Sequence, residues 1–417
     1  MRMYMSGTPR NDPYQPVENR LCTHRLFSMH GEYEKAVMRW LKDVKDGIFT
    51  AEAYFEKNPQ HLNHIIKRDS ARRVHQDQFV KHGLRSMIDW DTAEVIEHVC
   101  QSTQSASPYP RFLLLDSGAF TAWNKGEVVT VEDVKRKYAR FIDMADGLFD
   151  EIWMINLDKI PGERGRDPTP AELDEAVKIS DINFEILTKE FGNWVQPVFH
   201  QGESDIRLRE CVDQVKSGSG YLCVSPRNDL PEGMRVEWSD EAHKKIAAYH
   251  PGIRTHGLAT TGNNMIRRVP WYSGDSAAWV QHGGYGMVDI LHIGKNCVPG
   301  RNPRYKNYFL TLDNVEVDTT HLSEEELQHI QDNNLEIPGA RMMGGKIGED
   351  AKHYDACSEF DQATIDERIE SYGFQHEIAR WDSRVRNLVC MGELQAYSNW
   401  ASGIETRAQK KLLFGDE

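Results

Sequence analysis

Four side chains of acidic or amide type stand at the ends of short apolar runs, and their chemistry suits a nitrogen heterocycle. Asp116 closes RFLLLD (111–116), Asp158 closes EIWMINLD (151–158), Gln201 lies at the end of VQPVFHQG (195–202), and Asp275 follows GLATTGNNMIRRVPWYSG (257–274). A carboxylate serves as nucleophile or general base, and a second one accepts hydrogen bonds from the N–H groups of a purine edge. A glutamine both donates and accepts, which matches a base presenting a carbonyl beside a ring nitrogen. The set reads a guanine-like face. Asp116 runs straight into Ser117 and Gly118, which permit a tight turn with backbone N–H groups close to a ligand. Capping of that turn is the competing role for Asp116.

The elements that must position these groups read as a parallel α/β fold. Apolar runs bounded by turn residues fit strands buried on both faces, and acids at their carboxyl ends stand where such proteins build sites. Six runs qualify: 111–116, 151–158, 195–202, GYLCVSP (220–226), IRTHGLA (253–259) and GMVDILHI (286–293). Helical patterns lie between them. Thr130 caps one, with Asp133 three residues on and Val134, Tyr138, Phe141 and Ile142 on its apolar side; Thr169, Pro170 and Glu172 form a strong start for another. The pattern predicts a TIM (β/α)8-like barrel with an N-terminal extension and a mostly helical, acidic C-terminal addition. The division expected is a catalytic barrel over 1–310, including the extension, and a helical addition over 311–417.

The flanks carry fewer signals. YEKAVMRWLKDV suits an outer helix or a first barrel unit, Ser323 caps SEEELQHI, and IDERIESYGFQHEIARW reads as a further helical stretch. QHGGYG (281–286) fits neither dinucleotide nor Walker spacing and reads as a turn. Within the strand at 195–202, His200 alternates with Gln201, so an inward Gln201 sends His200 outward. Trp123 and Trp279 read as core anchors, and His256 is balanced between a core histidine and a ligand contact.

Composition narrows the class. The 417 residues have 39% hydrophobic and 27% charged content, and no apolar stretch approaches the ~20 residues of a membrane helix. The N-terminus lacks an apolar signal core, which places the protein in the cytoplasm, that of a host cell if a phage encodes it. Seven scattered cysteines with no CxxC read as reduced thiols. The net charge of −14 is uneven: residues 323–379 hold fourteen Asp or Glu against four Lys or Arg, a balance of −10. Residues 294–311 carry Lys295, Arg301, Arg304 and Lys306 with interleaved Tyr305, Tyr308 and Phe309 and no acid. That mixture suits a phosphate backbone and unstacked bases, a solvated face being the competing reading. Residues 61–85 form a second basic candidate.

LLLDSGAFTAW (113–123), INLDKIPG (155–162), VFHQGES (198–204), THGLATT and VPWYSGDSAAW (255–279) together resemble, in order, the motifs of the tRNA-guanine transglycosylase superfamily. Ala119 and Trp123 make the resemblance closer to its phage branch, the DpdA-like DNA-guanine transglycosylases that insert 7-deazaguanines into viral DNA. The resemblance implies a TIM barrel that exchanges guanine for a free 7-deazaguanine base without a cofactor, and it implies restriction evasion as the biological role. By position, Asp275 is then the nucleophile and Asp116 recognises the base and moves protons. Asp158 and Gln201 hold the purine edge, Phe120 offers a stacking face, and Ser117, Gly118, Ser225, His256 and Gly257 complete the substrate contacts. Lys295, Arg301, Arg304, Tyr305 and Lys306 would meet the nucleic acid. The family's Cys-x-Cys-x-x-Cys zinc run is missing, so no such metal site is expected, a zinc site assembled from scattered Cys and His being the exception. CVSPRND (223–229) replaces the family's Gly-Gly-Leu loop. DNA is the expected partner, a homodimer is compatible with the reading, and no membrane is involved. The alternatives are guanine exchange in tRNA, a catalytically silent nucleic-acid-binding subunit, and a nucleoside hydrolase.

Overall fold

Two short runs near the start of the chain, RMYMS and HRLFS, form staves of the barrel and not an extension to it. In the computed structural model, which describes residues 1–61, 96, 107–163, 166–260, 262–292, 304–310, 325, 328, 352–354 and 357–402, β1 (Arg2–Ser6) lies between β2 (His24–Ser28) and β9 (Ser273–Ser276). β1 is parallel to both neighbours. The sheet continues through β3 (Phe112–Asp116), β4 (Glu151–Ile155) and β5 (Val195–Gln196) on one side. On the other side follow β8 (Arg254–Gly257), β7 (Tyr221–Ser225) and β6 (Val198–His200).

All pairings in this sheet are parallel. The two outermost strands of this order, β5 and β6, are one stretch interrupted at Pro197, whose ring leaves no N–H for a ladder. The Gln196 carbonyl accepts from Asn156 N at 2.9 Å on the β4 side, and the Pro197 carbonyl accepts from Cys223 N at 3.0 Å on the β7 side. One stave therefore closes the ring, which has eight staves in all.

Helices follow the staves on the outside: α1 (Gln15–Leu21), α2 (Gly31–Lys45), α3 (Ala51–Lys57), α4 (Ala119–Lys125), α5 (Val131–Ala145) and α6 (Pro170–Phe191). They continue with α7 (Asp205–Val215), α8 (Glu232–Tyr249), α9 (Asn263–Arg268) and α10 (Ala278–Gly284). The expected starts hold. Thr130 Oγ1 accepts from Asp133 N, and Thr169 with Glu172 makes a full capping box behind Pro170. QHGGYG is mostly the last turn of α10 and not a free turn.

The run 286–293 is a strand, β10 (Met287–His292), but it leaves the barrel. It pairs antiparallel with β11 (Arg304–Phe309), which also pairs with β12 (Lys352–His353) in a separate small sheet. The helical stretch expected at 365–381 is two helices, α11 (Glu359–Glu370) and α12 (His376–Trp381), separated by a turn in which Gly373 takes φ +84°. They lead to α13 (Ser383–Ser402). The boundary proposed at 310/311 and about half of the acidic segment fall outside the described residues; of the helix expected after Ser323 only Glu325 and Gln328 are described, both helical.

Strand periodicity divides the side chains between two cores. Leu113 and Leu115 face outward against α2 and α5, and Leu114 faces the lumen with Tyr4, Leu26, Trp153, Ile155, Val198, Tyr221 and Cys223. Around β1 the outer layer is built from α1, α10, β10 and the helices α11 to α13, with Met3 and Met5 among their buried contacts. No described helix is long and apolar enough to cross a membrane.

Candidate active site at the carboxyl end of the barrel

The alternation that sends Leu114 into the lumen sends Asp116 there as well, one layer nearer the carboxyl end. The same count carries His200 above Val198, Ser225 above Cys223, and Asp275 above Ser273. Asp158 joins them from the loop after β4.

Three of the expected residues, Asp116, Asp158 and Asp275, are thereby brought within electrostatic reach of one another. Burial, reinforced by the charge of Asp158, lifts the Asp116 carboxyl to about 7; the Gly118 N–H opposes the rise, Asp275 adds to it, and the Ser28 hydroxyl opposes it again. The turn after Asp116 explains its sequence. Gly118 sits at φ +84°, and a Cβ there would come within 2.3 Å of His30 Cβ. Only glycine both adopts that conformation and fits that gap. Its N–H is spent on Asp116, and the buried Ser117 folds back so that its Oγ meets Ala119 N at 3.4 Å. Ser117 and Gly118 thus shape Asp116 and do not line the cavity described below.

Asp275 is 8% exposed. Its Oδ1 accepts from Ala259 N at 2.9 Å, and Ala259 holds φ +51°, a conformation non-glycine residues seldom take. The strained turn aims a backbone donor at the carboxylate. Beneath it lies His256, fully buried, with Nδ1 2.8 Å from Ser273 Oγ and Nε2 3.4 Å from Asp275 Oδ1. Tyr221 Oη also bonds the Ser273 hydroxyl, at 2.5 Å. His256 is therefore a core side chain supporting Asp275, and the expectation that it touches substrate is corrected. Gly257 is packed likewise: a Cβ would approach Thr260 Oγ1 to 2.2 Å.

Beside the carboxylates opens a cavity of about 350 Å³ bounded by Phe120, Trp123, Ile160, Pro161, His200, Gln201, Ser225 and Arg227 among others. Its walls come from the loops after β3, β4, β6 and β7. Phe120 is 51% exposed and lies 6.0 Å, ring to ring, from Trp123, whose indole N–H donates to Gly162 O at 3.0 Å. Trp123 is then a wall of the cavity, not the core anchor expected. Trp279 is the anchor, 1% exposed and bonded to Ser6 O. Gln201 bounds the cavity as expected; its Oε1 accepts from Arg227 N at 3.0 Å, which leaves its amide N–H groups as the available donors.

His200 contradicts its expected direction. β6 ends at His200, so the inward position belongs to it, and Gln201 begins the turn. His200 is 7% exposed, and its Nε2 lies 2.7 Å from Asp158 Oδ2. Burial alone would favour the neutral ring, but the bond and charge of Asp158, with Glu203 behind, raise its pKa above the ordinary value against the opposing charge of Arg207.

The basic patch is only partly described. Lys295 and Arg301 lie outside the described residues, as does most of 61–85, and Arg304 and Lys306 lie on β11. Tyr305 is not offered to a base: its ring stacks on Tyr397 at 4.9 Å and its hydroxyl reaches Asp289 at 3.3 Å. Tyr308 is 3% exposed. Among the described residues no group of three or more His, Cys, Asp or Glu side chains is placed to hold a metal. No protein-family model matches the chain, and no curated protein matches it.

Proposed function

We propose that the protein exchanges guanine in DNA for a 7-deazaguanine base through a covalent bond between Asp275 and the sugar. The observation that carries this reading is the meeting of Asp116 and Asp275 at one end of the barrel with unlike surroundings. Asp116 is held near neutrality, able to trade a proton, whereas Asp275 is fixed by the Ala259 N–H.

The chemistry follows in two displacements. A carboxylate oxygen of Asp275 bonds to C1′ of an everted deoxyguanosine as the C1′–N9 bond breaks, and the departing base takes the proton of Asp116. The incoming base then gives its N9 proton back to Asp116, N9 bonds to C1′, and the ester bond to Asp275 breaks. Two inversions restore the starting configuration, as in retaining glycosidases. The aromatic wall of Phe120 and Trp123 supplies the stacking that an unpaired base loses on leaving the duplex.

Incubation with labelled guanine and either duplex DNA or tRNA tests the reading. Label in DNA supports it, and label in tRNA alone moves the same chemistry to the other polymer. Release of free base with no label incorporated would make the protein a hydrolase.

A further inference from the structure

The second acid of the site stands behind the cavity wall, and His200 lies on that wall. Asp158 Oδ2 is engaged by His200 Nε2, and the other ring nitrogen, Nδ1, has no hydrogen-bond partner among the described residues although the ring bounds the cavity. The backbone on either side fixes the ring. His200 N donates to Glu203 Oε2 at 2.9 Å, and β6 is paired with β7 through His200 and Ser225. Next to it, Gln201 presents its amide donors, its carbonyl being occupied by Arg227 N.

We propose that His200, oriented by its bond to Asp158, is the side chain that binds the carbonyl oxygen of a planar heterocyclic base in this cavity, with the Gln201 amide as second donor. The inference deepens the function proposed above and rests on it only for the identity of the base. A neutral purine-like ring carries an exocyclic oxygen that accepts from two donors, and the Phe120 and Trp123 rings cover its face. Asp158 thus acts on the ligand through the imidazole, a positioning role in place of direct edge reading.

The consequence is a proton-linked affinity. With Nε2–H on Asp158, the ring donates from Nδ1 only while protonated, so binding is strong below its pKa and falls by up to tenfold per pH unit above it. The charged groups facing the ring are Asp158 from the loop after β4, Glu203 from the turn after β6 and Arg207 from α7. Arg166, Arg227, Asp229 and Glu163 stand around the cavity.

Calorimetric titration of the full chain with guanine, from about pH 6 to pH 9, reads this directly. Affinity should fall with rising pH in the native protein. In H200N, whose amide donates at every pH, binding should persist with a shallower slope, that of the Asp116 carboxyl alone. Binding independent of pH in the native protein, an unchanged slope in H200N, or absence of guanine binding would each overturn the proposal. An H200N protein that fails to fold is replaced by nitrogen-15 histidine resonances of the native chain: the His200 ring signals must shift on adding guanine, and unmoved signals count against it. Guanine bound with this proton linkage by a protein that exchanges no base into DNA or tRNA would leave the inference standing while removing the function proposed above.

Discussion

His200 Nε2 lies 2.7 Å from Asp158 Oδ2 with both side chains below one-tenth exposed, joining the end of β6 to the loop after β4 at the mouth of the barrel. Because the folded-state pKa of His200 is raised, its stabilising contribution is fully present below the unfolded value and is lost as pH rises through the folded one. Asp158→Asn should therefore destabilise the protein by about 3 kcal/mol near pH 6 and by less near pH 9, since a buried charge loses its partner. Urea unfolding at the two pH values checks this, and an equal loss at both would exclude the ion pair as the cause.

Asp116→Asn is expected to act in the opposite sense on stability. The Asp116 carboxyl is raised to about 7, so the folded state holds a proton that the unfolded chain releases near 4, and stability declines across that interval as pH rises. Removing the carboxyl should gain about 2–4 kcal/mol at pH 8 and little at pH 4, while base exchange is lost. Denaturant unfolding with a parallel exchange assay separates the two effects.

Asp275→Asn should reduce exchange by about a thousandfold or more, because an amide cannot form the ester with the sugar carbon. With native protein, denaturation after mixing with deoxyguanosine-containing DNA in the absence of free base should leave a nucleic-acid adduct on the chain. Undiminished exchange in the variant would exclude Asp275 as the nucleophile.

Gly118→Ala forces a left-handed conformation on a residue with a Cβ and drives that carbon to 2.3 Å from His30. A loss of about 2–4 kcal/mol is expected, together with a changed Asp116 titration as the Gly118 N–H swings away. Thermal unfolding gives the first quantity. The pH profile of exchange gives the second.

Glu18 is buried between two guanidinium groups, with Oε1 2.9 Å from Arg25 Nη2 and Oε2 paired with Arg384 of α13. Burial opposes its charge, yet Arg384 and Arg25 hold its carboxyl below the usual range. Glu18→Gln should cost about 3 kcal/mol at neutral pH, measured by urea unfolding, because it takes the carboxylate from buried Arg25 and leaves Arg384 with Asp12 alone. The native contribution is present above the unfolded carboxyl pKa and is lost as pH falls through the lowered folded one, so the difference between the proteins should shrink in acid.

Much of the barrel could be read from residues because its central staves are dense in aliphatic side chains. LLL in β3, WMI in β4 and YLCV in β7 bury both faces, which an unbroken apolar run expresses directly. β9 is Ser-Gly-Asp-Ser, and its burial is achieved by small and polar groups that carry no such mark. β1 and β2 were obscured by their shortness and by Arg2, His24 and Arg25, which turn out to be packed against aromatic rings. β10 carries the same apolar signature as a barrel strand, and only its partner β11 distinguishes it. At the site, Asp116 and Asp275 were visible as acids next to glycine turns. His200 escapes an alternation that starts from Gln201, because β6 stops at His200 and Gln201 already belongs to the turn. The long-range order that brings Ala259 to Asp275 leaves no local trace.

The first stave pairs with its sequence neighbour on one side and with the last stave on the other. Residues 2–6 find their neighbours at 273–276 only after nearly the whole ring has been synthesised, and α13 then lies across the outside of β1. A ribosome delivering this chain from its start thus releases Met3 and Met5 long before their final apolar cover exists. Closure joins sequence-distant partners and must wait on loop entropy, so the three carboxylates acquire a common enclosure only once residues 273–276 have been made, about two thirds of the way along the chain.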